Sequence, residues 1–186
     1  TAEVAANRAA VDEFFQLLGI EGESMADRMA VVHEIGLRRT IDAGVAVADE
    51  MQAYVDAAAE ALAKHFACYP TDPVVVVPVP GILSASGFRM GSAAQERPNQ
   101  VQIRPGRDGV PYYLRLTIAH HEAYPGHYVQ EYNQEQLSHL PDFRRYGNYR
   151  AYGEAWALYG EQLAWDVGLF DSADLLHKLG FRETGS

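Results

Sequence analysis

A short segment of the chain, residues 120–127, contains residue types that bind and use a zinc ion. It reads His-His-Glu-Ala-Tyr-Pro-Gly-His. In zinc proteases, two neutral imidazoles bind the metal, and the glutamate after the first of them takes a proton from the metal-bound water. This pattern makes His121 and His127 candidate ligands and Glu122 the candidate general base. The adjacent His120 lies about 10 Å from His127 along a straight helix, so these two cannot share one ion unless the helix bends.

The spacing of the two candidate ligands differs from the usual four residues, because His121 and His127 are six residues apart. On a straight helix this spacing separates two side chains by about 240° around the axis and about 9 Å along it. Pro125 has no N–H to bond back to the preceding turn, and Gly126 tolerates a positive φ. The pair therefore predicts a bulge that brings His127 back beside His121. The spacing alone leaves an alternative open, a solvated His-Glu face on a helix that ends at Pro-Gly.

Two carboxylates in a later helical segment are candidates for completing the site. A third zinc ligand from a separate helix is commonly a glutamate. Glu154 has small and aromatic sequence neighbours, an apolar setting in which a carboxylate is rare unless it is paired or metal-bound. Glu161 lies seven residues further on the same helical stripe. It is expected to be exposed, and the alternative is a hydrogen bond to a ligand histidine.

Hydrophobic periodicity and breakers predict that helices position these residues. Residues 25–67 read as one long helix or two nearly continuous ones with a break near Arg39-Thr40, and Asp171 or Ser172 is expected to cap the last helix. The Gly- and Ser-rich residues 81–99 are expected to be irregular. The other predicted helices lie at about 3–18, 112–124, 128–137 and 149–167, and the short last helix ends at 179. Strands are predicted at 74–80 and 101–104.

The predicted fold class is mainly α with a small β element, that is, α+β. The length of 186 residues suits a single domain over 1–186. Within it, 1–67 are expected to form N-terminal helices, 74–104 a small β region, and 112–180 the helices of the metal site.

The amino-acid composition limits the classes of molecule that the chain is expected to bind. A formal net charge of -10 with only 15 Lys and Arg disfavours nucleic acid and anionic membranes. The single cysteine, Cys68, excludes an intramolecular disulfide and a Cys-based zinc cluster. No apolar run is long enough to span a membrane, and no signal peptide is visible. A cytoplasmic location is therefore expected, with the native N-terminus uncertain because residue 1 is Thr rather than Met.

Two sequence motifs carry a resemblance to a known family. Residues 121–130, His-Glu-Ala-Tyr-Pro-Gly-His-Tyr-Val-Gln, are followed by residues 152–161, Tyr-Gly-Glu-Ala-Trp-Ala-Leu-Tyr-Gly-Glu. In this order and at about this distance, they resemble the bacterial family called domain of unknown function 885. That family is grouped with gluzincin-like metallopeptidases and carries a His-Glu-x-x-Pro-Gly-His motif. The resemblance covers roughly residues 74–180.

The resemblance implies a gluzincin-like core that binds one zinc ion per chain. His121, His127 and Glu154 would be the ligands and Glu122 the base. Peptide or small amide substrates are implied. By analogy with such enzymes, the strand before the metal helix would bind the substrate backbone by β-addition. Further residues assigned to substrate binding or to support of the ligands are Val101, Ile103, His120, Tyr124, Tyr128, Tyr152 and Glu161.

The sequence departs from the family pattern in three ways. Tyr128 stands where family members usually have a second His after Pro-Gly-His, and Ala155 replaces a Gly. Members are usually several times longer, with later helices that help to build the cleft, so this chain is expected to carry a shortened core. The usual donor to a developing oxyanion would then be missing, and Tyr124, Tyr128 and Tyr152 are the substitutes considered.

The sequence predicts a zinc-dependent hydrolase of peptide or amide bonds. The alternative is a metal- or substrate-binding module of the same fold without turnover. A helical-bundle metal oxygenase is disfavoured because paired Glu-x-x-His motifs are absent near the histidines. An interaction domain with His-Glu pairs as surface decoration is the remaining alternative. Substrate identity, endo- or exo-cleavage and oligomeric state are not specified by the sequence.

Overall fold

The computed structural model confirms a mainly helical α+β architecture, in which α-helices pack against a three-stranded sheet. The predicted fold class is therefore correct, and the order of elements follows the sequence prediction closely. The structure describes residues 2–80, 86–105, 109–147 and 149–184, without the side chains of residues 3 and 43.

Three helices form the N-terminal part: α1 (Ala2–Leu18), α2 (Met25–Ala43) and α3 (Val47–Leu62). Ser24 caps α2, because its hydroxyl accepts the backbone N–H of Asp27 at 3.2 Å while the Asp27 carboxylate accepts the Ser24 N–H at 3.0 Å. This reciprocal pair satisfies backbone donors that the helix itself cannot.

The break between α2 and α3 lies about four residues later than predicted. Gly44 ends α2 with a φ of 62°, a left-handed conformation that glycine adopts without steric cost. The prediction of a break near Arg39-Thr40 is wrong because the Thr40 hydroxyl donates to the Gly36 carbonyl at 2.9 Å within an unbroken helix. A hydroxyl that bonds back one turn is compatible with a continuous helix.

The sheet contains β1 (Val74–Pro78), β2 (Ser86–Arg89) and β3 (Asn99–Ile103), in the order β1-β3-β2. β3 pairs in parallel with β1 and antiparallel with β2. The prediction that 81–99 is irregular is wrong where β2 forms, and residues 81–85 lie outside the described residues. With Gly87 and Ser86 in it, β2 lacks the β-branched pattern that marks a strand in sequence.

The prediction that β3 binds a substrate backbone is contradicted by its position. β3 is the central strand, so its backbone groups already pair with β1 on one side and β2 on the other. The Val101 and Ile103 side chains are 0% and 1% exposed and pack in the core. An extended peptide can add only to an edge strand, and here the edges are β1 and β2.

The second half of the chain forms α4 (Arg115–Glu122), α5 (His127–Gln136), α6 (Asp142–Arg145), α7 (Arg150–Asp166) and α8 (Leu175–Thr184). A single 3₁₀ turn leads into α4. None of the described helices is both long and apolar enough to cross a lipid bilayer.

The cap of α8 is Asp174, rather than Asp171 or Ser172 as predicted. The Asp174 carboxylate accepts the backbone N–H of His177 at 3.1 Å, and the Asp174 carbonyl accepts that of Lys178 at 3.2 Å. Asp174 thus has the position and the bonds of an N-cap residue.

Three hydrophobic clusters hold the helices that matter for the site, and one of them joins α4, α7 and α8. Another joins α3, the sheet, α4 and α5 through buried residues such as Met51, Val101 and Val129. The third joins α1 to α8 through Phe15 and Leu179. α8 also packs against α4, so α4 is held by apolar contacts from several directions before any metal is considered.

Candidate metal centre

The two candidate histidine ligands meet because the chain breaks between α4 and α5. α4 ends at Glu122 and α5 begins at His127. In the connector between them, the Gly126 N–H donates to the His120 carbonyl at 3.0 Å, and the Tyr124-Pro125 peptide is cis. Where the sequence predicted a bulge in one helix, there are two helices. The expected result is nonetheless reached, since the imidazole rings of His121 and His127 are 4.9 Å apart.

Gly126 is required by the tightness of this connector. A Cβ atom at this position would lie 1.8 Å from the His121 carbonyl oxygen and 2.5 Å from that of His120. These are backbone atoms at the end of α4, so they cannot move aside like a flexible side chain. The glycine therefore permits the approach of α5 to α4, rather than supplying a positive φ.

α7 holds the connector from the other side. The Trp156 indole N–H donates to the Pro125 carbonyl at 3.0 Å. A Cβ at Gly160 would lie 3.2 Å from the Gly126 backbone nitrogen, so the small residue allows α7 to lie directly against the connector. α7 also carries Glu154, so the same helix positions one candidate ligand and the turn that brings the other two together.

Glu154 completes a group of three possible metal ligands. Its Oε2 lies 3.4 Å from His121 Nε2 and 3.9 Å from His127 Nε2. One ligand atom from each of the three residues lies within 4.8 Å of the others. Ligands around a tetrahedral zinc ion at 2.0–2.1 Å are separated by about 3.4 Å, so side-chain movements of about 1 Å would close the group around an ion. The Glu154 side chain is 52% exposed, so the apolar setting expected from its sequence neighbours is wrong.

Glu161 orients His121 and is buried, contrary to the expectation that it is exposed. Its Oε1 lies 2.7 Å from His121 Nδ1, and its Oε2 accepts the Thr184 hydroxyl at 3.2 Å. A carboxylate on Nδ1 favours the tautomer with the proton there, which leaves Nε2 with its lone pair toward Glu154 and His127. The structure thus agrees with the alternative that the sequence left open.

The electrostatic surroundings of His121 favour a cation. Burial opposes the charged imidazolium, but the hydrogen bond to Glu161 and the nearby carboxylates of Glu122 and Glu154 outweigh it and raise the pKa of His121. The same negative charges that attract a proton would attract a divalent metal ion. Two imidazoles and a carboxylate are a donor set that catalytic zinc sites use.

Glu122 faces the same cleft as the three candidate ligands. It is buried to 7% exposure, and its Oε1 accepts the Ser86 hydroxyl at 2.9 Å. The cleft has a volume of about 650 Å³ and lies between β2, α5 and the start of α7, a size typical of small-molecule and peptide sites. A buried carboxylate, a possible metal site and room for a ligand therefore coincide.

Three residues assigned to substrate contact lie away from the cleft. His120 is 1% exposed, bonds through Nδ1 to the Tyr124 carbonyl at 3.0 Å and packs on Phe170, and burial lowers its pKa to about 4. The Tyr124 and Tyr128 hydroxyls both donate to the Asp72 carbonyl, at 3.2 and 3.0 Å. His120 lies one residue before His121, and Tyr128 lies one residue after His127; a turn of about 100° per residue directs these two side chains into the core.

Tyr152 is also outside the cleft, although it is 52% exposed. It lines a separate surface groove beside α6 together with Leu137 and Phe143. Residues that the sequence did not single out line the cleft instead: Ser86 from β2, Glu131 and Glu135 from α5, and Tyr149 and Arg150 at the start of α7. For Glu131 a signal existed, because it lies one helical turn after His127.

The chain resembles known proteins over almost its whole length. A sequence model of the family described as bacterial protein of unknown function (DUF885) matches residues 1–183. No curated protein matches the chain.

Among solved structures, the crystal structure of a candidate lipoprotein from Colwellia psychrerythraea is similar, with a TM-score of 0.80 and 24% sequence identity. The match covers 98% of this chain and 32% of that protein, so this chain spans about a third of that protein's length. At this identity the likeness shows the shared fold alone. The family match extends from residue 1 to residue 183, within α8, and the chain belongs to the bacterial family of unknown function DUF885.

Proposed function

We propose that the chain is a zinc-dependent hydrolase of peptide or amide bonds with a gluzincin-like core. The observation that carries this proposal is the convergence of His121, His127 and Glu154 at the wall of one cleft that Glu122 also lines. His121 is oriented by Glu161, as ligand histidines in metal sites commonly are by a carboxylate. One zinc ion per chain is expected.

The residues divide the chemistry between them. A zinc ion held by the two histidines and Glu154 would lower the pKa of water and polarise a carbonyl group. Glu122 takes the proton from the attacking water and passes it to the leaving amine. The Ser86 hydroxyl donates to Glu122 Oε1 and holds this carboxylate in place at the wall of the cleft. Ser86 begins β2, an edge strand of the sheet that lines the cleft. An extended substrate would therefore pair with β2.

The test of this function is metal-dependent turnover. Purified chain is incubated with a mixture of short peptides, and cleavage is followed by mass spectrometry. We expect cleavage that is lost after treatment with a zinc chelator and restored by one equivalent of zinc.

Zinc that binds without any turnover would contradict hydrolysis. That result would favour the alternative, a metal- or substrate-binding module without turnover. The alternative is worth testing because this chain spans about a third of the length of the similar crystal structure. Turnover that is insensitive to chelation would contradict the role of the metal. The cytoplasmic location remains a prediction, since the similar structure is that of a candidate lipoprotein.

A further inference from the structure

The cleft continues from the candidate metal site along one face of α5. His127 begins this helix, and Glu131 and Glu135 follow at intervals of four residues and line the same cleft. At 1.5 Å per residue, Glu131 lies about 6 Å from His127 along the helix axis. An extended peptide advances about 3.3 Å per residue, so Glu131 lies within about two substrate residues of the metal site.

Glu131 is a partly buried carboxylate without a positive partner. Among the residues that the structure describes, no Lys, Arg or His nitrogen forms an ion pair with it. Its electrostatic neighbours are two further carboxylates, Glu135 and Glu122. Burial, reinforced by these two charges, raises the pKa of Glu131 to about 7.

The cleft arginines do not supply this missing charge. The Arg145 guanidinium donates to the Glu135 backbone carbonyl at 2.7 Å and lies 3.5 Å from the Asp142 carboxylate. Arg150 lines the cleft at the start of α7, one turn before Glu154. Neither forms an ion pair with Glu131 in the described part of the chain, so the countercharge is left for a ligand.

We propose that Glu131 is a specificity-determining residue that binds a positively charged nitrogen of the substrate within about two residues of the scissile bond. The chemistry is an ammonium or guanidinium group, supplied either by a Lys or Arg side chain or by a free amino terminus. The position relative to the scissile bond rests on the proposed hydrolase function. The preference for a cation rests on the cleft itself. The Gln130 and Gln134 side chains beside it bond to each other at 2.7 Å and add no charge.

A partly buried carboxylate without a positive partner lowers the stability of the protein when no ligand is bound. Because the folded pKa of Glu131 lies above its ordinary value of 4.5, folding is favoured at low pH and this contribution is lost as the pH rises through about 7. Glu131→Gln should therefore melt a few degrees higher than the unmodified chain at pH 8, and the two should melt together near pH 4.5. Glu131→Gln melting lower at pH 8 would mean that the carboxylate has a partner that stabilises the fold.

The deciding experiment measures binding, with and without one equivalent of zinc. Calorimetry compares acetyl-Ala-Lys-Ala-amide with its norleucine analogue, and Ala-Ala-Ala-amide with its acetylated form. We expect at least one cation to bind about 10- to 100-fold more tightly than its neutral partner. The first pair reports a side-chain cation and the second a free amino terminus. Glu131→Gln should abolish the preference, and Glu135→Gln, the matched control one turn further, should retain most of it.

The outcomes separate this inference from the proposed function. Equal binding of charged and neutral peptides, or a preference that survives in Glu131→Gln, would overturn the role of Glu131 even if the chain hydrolyses peptides. A cation preference that depends on Glu131 in a chain that never cleaves a peptide would support the subsite and reject the hydrolase.

Discussion

Glu122→Gln is expected to retain zinc and to lower the rate of peptide hydrolysis by about 10²- to 10⁴-fold. The amide has nearly the shape of the carboxylate and can still accept the Ser86 hydroxyl, but it cannot take a proton from water. Glu122 does not belong to the group of three converging ligand atoms, so the metal should stay. Zinc content and turnover are measured on the same preparation.

The control for this variant is Glu60→Gln, which neutralises an exposed carboxylate on α3 that does not line the cleft. It should hydrolyse peptides at the unmodified rate. If Glu122→Gln loses its zinc, Glu122 is a ligand and the assignment of roles is wrong. If it retains both zinc and activity, another group is the base.

Gly126→Ala is expected to destabilise the chain by about 3 kcal/mol and to weaken zinc binding. The new methyl group would lie 1.8 Å from the His121 carbonyl oxygen, so α5 must move away from α4. That movement separates His127 from His121. Chemical denaturation measures the loss of stability, and zinc titration at low temperature measures the loss of affinity.

Two other glycines serve as controls for this variant. Gly153 lies in α7 beside His127, and its added Cβ would be no closer than 3.5 Å to Gln130, so Gly153→Ala should be tolerated. Gly180→Ala should destabilise by a similar clash, 1.9 Å from the Tyr113 carbonyl, but should weaken zinc binding much less than Gly126→Ala, because α8 carries none of the three candidate ligands. Unchanged zinc affinity in folded Gly126→Ala would show that the connector does not position the histidines.

The sequence around His121 and His127 indicated the metal site because its residue types and spacing are unusual for a helix. On a straight helix the six-residue spacing would keep His121 and His127 apart, so a shared metal ion requires a distortion, and Pro125-Gly126 marked its place. The form of the distortion was not predictable, because a bulge and a break satisfy the same spacing. The break depends on Trp156 and Gly160 of α7, whose contacts with the connector are tertiary.

Burial was the property that the sequence predicted least well. Glu161 was expected at the surface and is buried against His121, while Glu154 was expected in an apolar setting and is half exposed. Both lie on one stripe of α7, and the tertiary packing of this helix decides which end of that stripe is covered: Glu161 is covered by His121 of α4 and Thr184 of α8. Neighbouring residue types along the chain do not report which helix lies opposite.

The order of strands was likewise beyond local patterns. Val101 and Ile103 alternate with polar residues, which predicts a half-buried strand but not its place in the sheet, and β3 is central because β1 and β2 pair on its two sides. β2 lacks a hydrophobic pattern of its own and forms through pairing with β3. The strand that lines the cleft was therefore the one that intrinsic propensity could not indicate.

The most direct test of the central proposal is the zinc content of the chain. Mass spectrometry on protein purified without a histidine tag should give one zinc per chain, and His127→Ala and Glu154→Ala should each lose most of it. No bound zinc after zinc is added back, or full occupancy in His127→Ala, would contradict a metal site at this cleft.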